Sequence, residues 1–240
     1  MTDVRTDPMP RPDGPTAFAA VLDACLGTGK VHEVHAAQAG DLAAATGFAA
    51  MLAGRRCDAR RPLVWVRPEH LPARAYAPGL AELGIDPCAC LFIAAGDAVG
   101  LLRAGVDALR CPASGAVIVE CRGRMPLLDL TASRRFVLAA ERSRVDLFLL
   151  RIDARPAPSA AATRWQVRAA PSRAIDGTPG HPALAVELLR HRGHPAGMRW
   201  RLEWDRDRRQ FREAALSGAL FPVPVRGSVE ALPARLRRVA

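Results

Sequence analysis

The fold is decided by three consecutive segments: Lys30-Val31-His32-Glu33-Val34-His35, Ala36-Ala37-Gln38-Ala39-Gly40-Asp41 and residues 42–52 (LAAATGFAAML). The first predicts a short strand and the third a helix, so the second is the loop that joins them. In a nucleotide hydrolase of this layout, the loop carries glycines and a Lys-Ser/Thr pair that hold phosphates and Mg²⁺. Here an acid follows Gly40, and an acid repels a triphosphate. The layout of an ATPase is present without its chemistry, which favours binding over catalysis.

Composition narrows the class of protein. The chain has 240 residues, half of them hydrophobic, which is enough for a sizeable core. The net charge of +10 favours acidic partners, either DNA or an acidic protein surface; a solvated arginine-rich surface is the alternative. No apolar run approaches the roughly 20 residues of a membrane helix, so we expect no membrane association. Residues 1–15 are polar and proline-rich without an apolar segment, which predicts a disordered lead and no secretory signal.

Neither the cysteines nor the histidines form a recognisable metal motif. The six cysteines include one Cys88-Ala89-Cys90 motif, but no second Cys or His pair follows at zinc-ligand spacing. His181, His191 and His194 surround one predicted hairpin without a metal-ligand spacing. We therefore predict reduced, core-filling thiols and no metal site.

Apolar blocks alternate with helical patterns up to residue 151. Strands are predicted at residues 31–35, 63–66, 91–94, 116–121 and 146–150, several of them apolar throughout, as strands buried on both faces are. Helices are predicted between them at residues 41–53, 75–83, 98–110 and 129–143, with Asp97 and Asp129 as candidate caps. This order predicts an α/β protein with a mainly parallel sheet flanked by helices.

The pattern changes after Arg151. A loop at residues 152–161 is followed by alternating segments at 164–168, 185–189 and 198–205, which predict antiparallel strands that extend the sheet. Residues 206–216 (RDRRQFREAAL) are charged and compatible with a helix. The predicted organisation is therefore a lead at 1–15, a core domain at 16–205 and a C-terminal tail at 206–240. Phe211 and Phe221 in this tail are candidate anchors for a partner, or else part of a strap over the chain's own domain.

Two further segments bear on nucleotide binding. Gly27-Thr28-Gly29-Lys30 contains a Gly-Lys pair, but it precedes the strand and lacks both the earlier glycine and the following Ser/Thr, so we interpret it as a turn. Residues 116–120 form an apolar strand that ends in Glu120, as does the ATPase strand whose acid positions Mg²⁺ or water. The candidate nucleotide-binding residues are thus Glu120 and a vestigial phosphate loop at Ala36, Gln38, Gly40, Asp41 and Leu42.

The order of segments resembles the RecA-like core. Residues 26–34 (LGTGKVHEV) look like the RecA segment that leads into the phosphate-loop strand, and residues 76–86 (YAPGLAELGID) are similar to a second RecA segment. The resemblance is closer to the ImuA family of RecA-like proteins. Its most specific motifs are Leu128-Asp129-Leu130-Thr131-Ala132-Ser133-Arg134-Arg135 and Thr163-Arg164-Trp165, with Arg110-Cys111-Pro112 and Pro171-Ser172 as weaker matches. Together the matches span residues 16 to 205.

This resemblance implies an accessory role in damage-induced translesion DNA synthesis. ImuA proteins act with ImuB, a Y-family polymerase homologue without polymerase activity, and with an error-prone C-family polymerase; RecA and DNA are further candidate partners. The implied location is the cytoplasm, and the nucleoid when the complex is recruited to DNA. No catalytic residue transfers, because the phosphate-loop lysine of the family aligns near Asp41 or Leu42. We therefore expect no cofactor, with ATP and Mg²⁺ disfavoured.

Contact with DNA or a partner would fall mainly on arginines. The DNA-facing loops of RecA correspond here to residues 122–128 and 152–161, where Arg122, Arg124, Arg151 and Arg155 are the candidate phosphate contacts. Arg134 and Arg135, adjacent on one predicted helix, are further candidates for DNA or an acidic protein surface.

Three functions stay open from the sequence alone. The first is a non-catalytic RecA-like scaffold of a mutagenic polymerase complex. The second is an ATP-binding RecA-like recombination or repair protein, which would need another cation, such as Arg55 or Arg56, in place of the lost lysine. The third is a SulA-like inhibitor of cell division, a label that related sequences often carry.

Overall fold

A computed structural model of the chain describes residues 17–71, 75–172, 180–192 and 196–214. The predicted lead at 1–15, His194 and the candidate anchor Phe221 lie outside the described residues, as does most of the predicted tail. None of the described helices has both the length and the apolar character required to cross a bilayer.

The described residues include five α-helices and nine strands. The helices are α1 (Ala17–Cys25), α2 (Leu42–Gly54), α3 (Ala77–Glu82), α4 (Ala98–Arg110) and α5 (Leu130–Ser143). The strands are β1 (Val31–Ala36), β2 (Leu63–Pro68), β3 (Cys90–Ala95), β4 (Ala116–Arg122), β5 (Asp146–Ile152), β6 (Thr163–Ala170), β7 (Ala183–His191), β8 (Met198–Asp205) and β9 (Gln210–Glu213). Asp97 caps α4 by accepting from the Gly100 amide, and Asp129 caps α5 by accepting from the Ala132 amide, as the sequence predicts.

All nine strands form one sheet in the order β3-β2-β4-β5-β1-β6-β7-β8-β9. The pairings from β3 to β6 are parallel, and those from β6 to β9 are antiparallel. The predicted α/β class, with a mainly parallel sheet extended by antiparallel strands, is confirmed. Because parallel strands end at one edge of the sheet, the loops that follow β1, β4 and β5 lie at that carboxyl edge, the usual place for ligands in α/β folds.

Each face of the sheet is covered by its own helices. The first face packs on α1 and α2 through a core that includes Phe18, Phe48 and Trp165. The second face packs on α4 and α5 through Leu101, Leu109 and other apolar residues. Residues alternate between these faces along every strand, so a residue's position in its strand decides which layer it enters.

Two strand predictions need correction. The segment at 164–168 was expected to be antiparallel, but β6 runs parallel to β1 and is antiparallel only to β7. Alternation of polar and apolar residues indicates which face a side chain takes, not the direction of the neighbouring strand. The segment at 91–94 is apolar throughout, as strands buried on both faces are, yet β3 is the edge strand and Leu91 and Phe92 are exposed.

The start of the predicted tail belongs to the sheet. The sequence of residues 206–216 is compatible with a helix, but this prediction is wrong for Gln210–Glu213, which form β9 and pair with β8. The Phe211 ring packs against Phe18 at 5.5 Å and against Trp204 at 4.8 Å between ring centroids. Phe211 thus contacts the chain's own core, which agrees with the strap alternative over this part of the tail.

Candidate functional site

The vestigial phosphate loop lies at the carboxyl end of β1. Residues 39–41 form a single 3-10 turn, after which α2 begins at Leu42. Gln38 and Gly40 are exposed, whereas Asp41 is half-buried. The loop therefore stands where a phosphate cradle would stand, at the junction of a strand and a helix N-terminus, so its hydrogen bonds decide whether it can hold an anion.

Three backbone amides at this loop donate hydrogen bonds to carbonyls of the protein. The Ala37 amide donates to the Val167 carbonyl of β6 at 3.0 Å, and the Asp41 amide donates to the Gln38 carbonyl at 3.0 Å. The Leu42 amide donates to the Ala39 carbonyl. A phosphate cradle needs these amides to point at the ligand, so three donors of the loop are already used by protein acceptors.

The acid at the end of the loop has a partner that the sequence does not reveal. Asp41 Oδ1 accepts a hydrogen bond from the Ala169 amide of β6 at 2.8 Å. Together with the bond from Ala37, this ties both ends of the loop to β6. Asp41 thus acts as a strap between the loop and the sheet, and its carboxylate places a negative charge at this end of the loop.

The proposed substitute cations lie at the opposite edge of the sheet. Arg56 Nε donates to Asp146 Oδ2 at 3.0 Å, next to the Lys30 amide, which donates to the other oxygen of Asp146. Arg55 lies one residue earlier and is 3.6 Å from Asp23. Since α2 has 13 residues, its ends are about 20 Å apart. The vestigial loop is therefore out of reach of Arg55 and Arg56, and also of Lys30, which is the only lysine of the chain.

Glu120 occupies the position expected of an ATPase acid, near the carboxyl end of β4. Ile118 and Glu120 face α2, whereas Val119 and Cys121 face the α4 and α5 layer. The Glu120 side chain is nearly buried, and its Oε1 accepts a hydrogen bond from Arg122 Nε at 3.1 Å. Within the described residues, no group of three or more Cys, His, Asp or Glu side chains forms a metal site.

A buried ionic cluster on β1 and β6 was not identified from the sequence. Arg164 Nε donates to Glu33 Oε2 at 2.6 Å, and His35 Nε2 lies 3.7 Å from the same oxygen. Burial raises the pKa of Glu33, but the neighbouring His35 ring and the Arg164 guanidinium outweigh it and lower that pKa to about 2. The sequence signal for this cluster was the presence of charged residues within the predicted strand at 31–35.

This cluster also fixes the loop that follows β5. The Arg164 guanidinium donates to the Ala157 carbonyl and, at 3.1 Å, to Ser159 Oγ. Arg190 Nη1 donates to the Ser159 carbonyl at 2.7 Å, and the Ala160 amide donates to Ser133 Oγ of α5 at 3.0 Å. The segment that corresponds to a DNA-facing loop of RecA is therefore held by side chains of the sheet and of α5.

A second buried network lies on the α2 face. Trp165 Nε1 donates to Thr163 Oγ1 at 2.8 Å, and the same hydroxyl is hydrogen-bonded to His32 Nδ1, also at 2.8 Å. Burial, reinforced by the charges of Arg56, His191 and Lys30, lowers the pKa of His32 to about 3. His32 is thus neutral at physiological pH and serves the packing of the sheet.

The candidate arginines do not form one surface. Arg124 and Arg155 are exposed in the loops after β4 and β5, whereas Arg151 is nearly buried on the α4 and α5 face of the sheet. Arg134 and Arg135 are exposed on α5. The predicted contacts are therefore divided between the carboxyl edge and the outer helix layer, and a phosphate-binding role for them stays a prediction.

Comparisons with known proteins bear on the fold. No protein-family model matches the chain, and no curated protein matches its sequence. A solved structure described as the crystal structure of the RadB recombinase superposes with a TM-score of 0.52, at 13% sequence identity, over 79% of this chain and 92% of that chain. This similarity confirms the RecA-like fold expected from the sequence. At so low an identity it shows the fold alone, and membership of the ImuA family stays a prediction.

Proposed function

We propose that this RecA-like chain is a non-catalytic accessory protein of DNA repair, which acts as a scaffold in a damage-induced translesion synthesis complex. One observation carries the non-catalytic part of the proposal. The loop at the phosphate position has an acid strapped to β6 and three amides donating to protein carbonyls. At such a loop a triphosphate meets a carboxylate in place of a cation, and three amides that a cradle would use already have protein acceptors.

The partner part of the proposal rests on the resemblance to the ImuA family. It names an ImuB-like Y-family polymerase homologue and an error-prone C-family polymerase, with RecA and DNA as further candidates. The most specific motifs serve the architecture: Asp129 of the first caps α5, and the second supplies Thr163, Arg164 and Trp165 to the two buried networks. These motifs support a shared fold, so the partners need a direct test.

Calorimetry with ATP and Mg²⁺ tests the non-catalytic part. We expect no saturable heat and no phosphate release, with a RecA-like ATPase measured in parallel as the positive control. Stoichiometric, Mg²⁺-dependent binding would contradict the proposal and support the ATP-using alternative. That alternative would gain further support if Glu120→Gln abolished a measurable hydrolysis, because Glu120 lies where the ATPase acid is expected.

Co-purification tests the partner part. We expect a tagged chain, expressed from its own locus in cells treated with a DNA-damaging agent, to recover an ImuB-like protein and the C-family polymerase. The matched control is the same preparation from undamaged cells. Recovery of neither protein would refute this part of the proposal while leaving the result with ATP unaffected.

A further inference from the structure

A long groove runs between the two helices of the outer layer. Helices α4 and α5 pack on the same face of the sheet and meet where Gly105 lies against the Phe136 ring. Two adjoining cavities of about 470 and 660 Å³ follow this seam and share Val106, Arg110 and Arg135 as lining residues. Since α4 has 13 residues and α5 has 14, the groove is about 20 Å long.

Several exposed apolar side chains line this groove. Seven large hydrophobic side chains of the described residues are exposed, and Val99, Leu127 and Leu138 among them line the groove. Leu138 is 57% exposed and Leu127 is 51% exposed. Large apolar side chains lie together on a water-exposed protein surface mainly where a partner covers them. Contact with the phosphates of DNA would not bury these side chains against apolar groups.

The rim of the groove is strongly basic. Arg103 and Arg110 line it from α4, and Arg135 and Arg142 line it from α5. Among the described residues that line the groove, Asp107 is the one acid, and Arg110 Nη1 lies 3.3 Å from its carboxylate. Four arginines against one aspartate make the rim complementary to an acidic partner, in which carboxylates can accept bidentate hydrogen bonds.

We propose that the groove between α4 and α5 binds an amphipathic helix of a partner protein, with its apolar face on the groove floor and acidic residues toward the arginine rim. The geometry fits this occupant because a helix of about 13 residues has the length of the groove, and apolar residues at helical spacing would follow the seam. The inference rests on the proposed function in one respect, since a scaffold needs such a surface. It does not depend on the vestigial phosphate loop.

A selection from a helical peptide library tests the groove. Peptides of about 14 residues, which match the groove length, are displayed on phage and selected on the immobilised full chain. We expect the selected sequences to carry leucine or phenylalanine at three- and four-residue spacing, and a net negative charge. Failure to select any binder, or selection of basic or uncharged sequences, would overturn the proposal.

Variants of the chain then test whether the selected peptide binds in the groove. Fluorescence anisotropy of one synthesised binder should show affinity about tenfold weaker for Leu138→Glu, because that change removes apolar contact and adds repulsion. Arg135→Glu should weaken binding about fivefold or more, and more so at low salt. Arg134→Glu makes the same charge change at the preceding residue of α5, which does not line the groove. It should change the affinity for the peptide less than about twofold.

Further measurements distinguish the proposed helix from other occupants of the groove. Leu138→Ala, which adds no charge to an exposed position, serves as a second variant if the melting temperature shows that Leu138→Glu disturbs folding. A fluorescent duplex of about 20 base pairs that binds the wild type, loses affinity with Arg135→Glu and is unaffected by Leu138→Glu would make the groove a nucleic-acid surface and overturn the proposal. Self-association of the wild type that Leu138→Glu abolishes would do the same. Binding of ATP would contradict the proposed function alone, so the two failures are distinguishable.

Discussion

The Asp41 carboxylate accepts a hydrogen bond from the Ala169 amide at 2.8 Å, although the two residues are 128 positions apart. The bond joins the loop after β1 to the end of β6, the strand that leads into the antiparallel extension. An acid in a phosphate loop first suggests the loss of a ligand. In the folded protein the same acid has gained a structural partner, which gives a physical reason for an acid at this position.

The Asp41 strap predicts a loss of stability on truncation. Asp41→Ala should lower the free energy of unfolding by about 0.5–1 kcal/mol, because it removes the acceptor of the Ala169 amide in an exposed hydrogen bond that water can partly replace. Asp41→Asn keeps a carbonyl acceptor and should lose less. Urea denaturation followed by tryptophan fluorescence measures both. Asp107→Ala, in an ion pair whose side chains are 70% exposed, is the matched control and should be nearly neutral; equal stability of Asp41→Ala and wild type would contradict the role of the strap.

The Glu33–Arg164 pair predicts a pH-dependent contribution to stability. The pKa of Glu33 is about 2 in the folded protein against 4.5 for the free side chain, so the folded state favours the ionised form. This contribution, about 3 kcal/mol, is complete above pH 4.5 and is lost as the pH falls toward 2. Glu33→Gln should therefore be destabilised by about 3 kcal/mol at neutral pH, because the buried Arg164 guanidinium loses its carboxylate partner.

Denaturant titrations at several pH values check this prediction. The difference in unfolding free energy between wild type and Glu33→Gln should shrink from pH 5 to pH 2.5. The acid sensitivity of His32 is common to both proteins and cancels in the difference. Glu187→Gln disrupts the more exposed ion pair with Arg199 and should cost less than about 1 kcal/mol. A constant difference across this pH range would show that the ionisation of Glu33 does not contribute.

The contact between α4 and the sheet predicts opposite effects of two Gly→Ala changes. A Cβ at Gly105 would lie 2.8 Å from Val119 Cγ2 and 3.0 Å from Phe136 Cε1, whereas one at Gly47 in α2 would meet only Met51 Cε at 3.8 Å. Alanine favours a helix over glycine by about 1 kcal/mol, but overpacking a core costs about 1–3 kcal/mol.

Gly47→Ala should therefore raise the melting temperature, and Gly105→Ala should lower it. Differential scanning calorimetry of the two variants gives the comparison, in which the helix-propensity gain is the same. If Gly105→Ala were as stabilising as Gly47→Ala, then the close approach of α4 to β4 and Phe136 would be wrong, and so would the seam that forms the groove floor.

Local features of the chain were sufficient to predict most elements. The largely apolar runs at residues 116–121 and 146–150 coincide with β4 and β5 to within two residues, because a strand buried on both faces must be largely apolar on both. The short segment predicted as a strand at 31–35 likewise coincides with β1. Asp97 and Asp129 were identified as caps because a cap bonds within three residues of its own position. The turn at Gly29, with φ of 73°, was likewise evident from its glycines.

The candidate site was only partly accessible from the sequence. The missing lysine at the phosphate loop and the placement of Glu120 follow from the order of residues alone. The partner of Asp41, the Glu33–Arg164 pair and the position of Arg56 at the far end of α2 do not, since each depends on residues 90 or more positions away.

The sequence by itself determined most strands and helices and the caps at Asp97 and Asp129, together with the lack of a lysine at the phosphate loop, since these depend on side-chain periodicity and residue identity over short distances. Only the tertiary structure decided that β6 runs parallel to β1, that Phe211 packs on the chain's own core, and that α4 and α5 leave an apolar groove with a basic rim. The physical reason is that these features arise between distant segments, whose burial and hydrogen bonding are settled only when the sheet assembles.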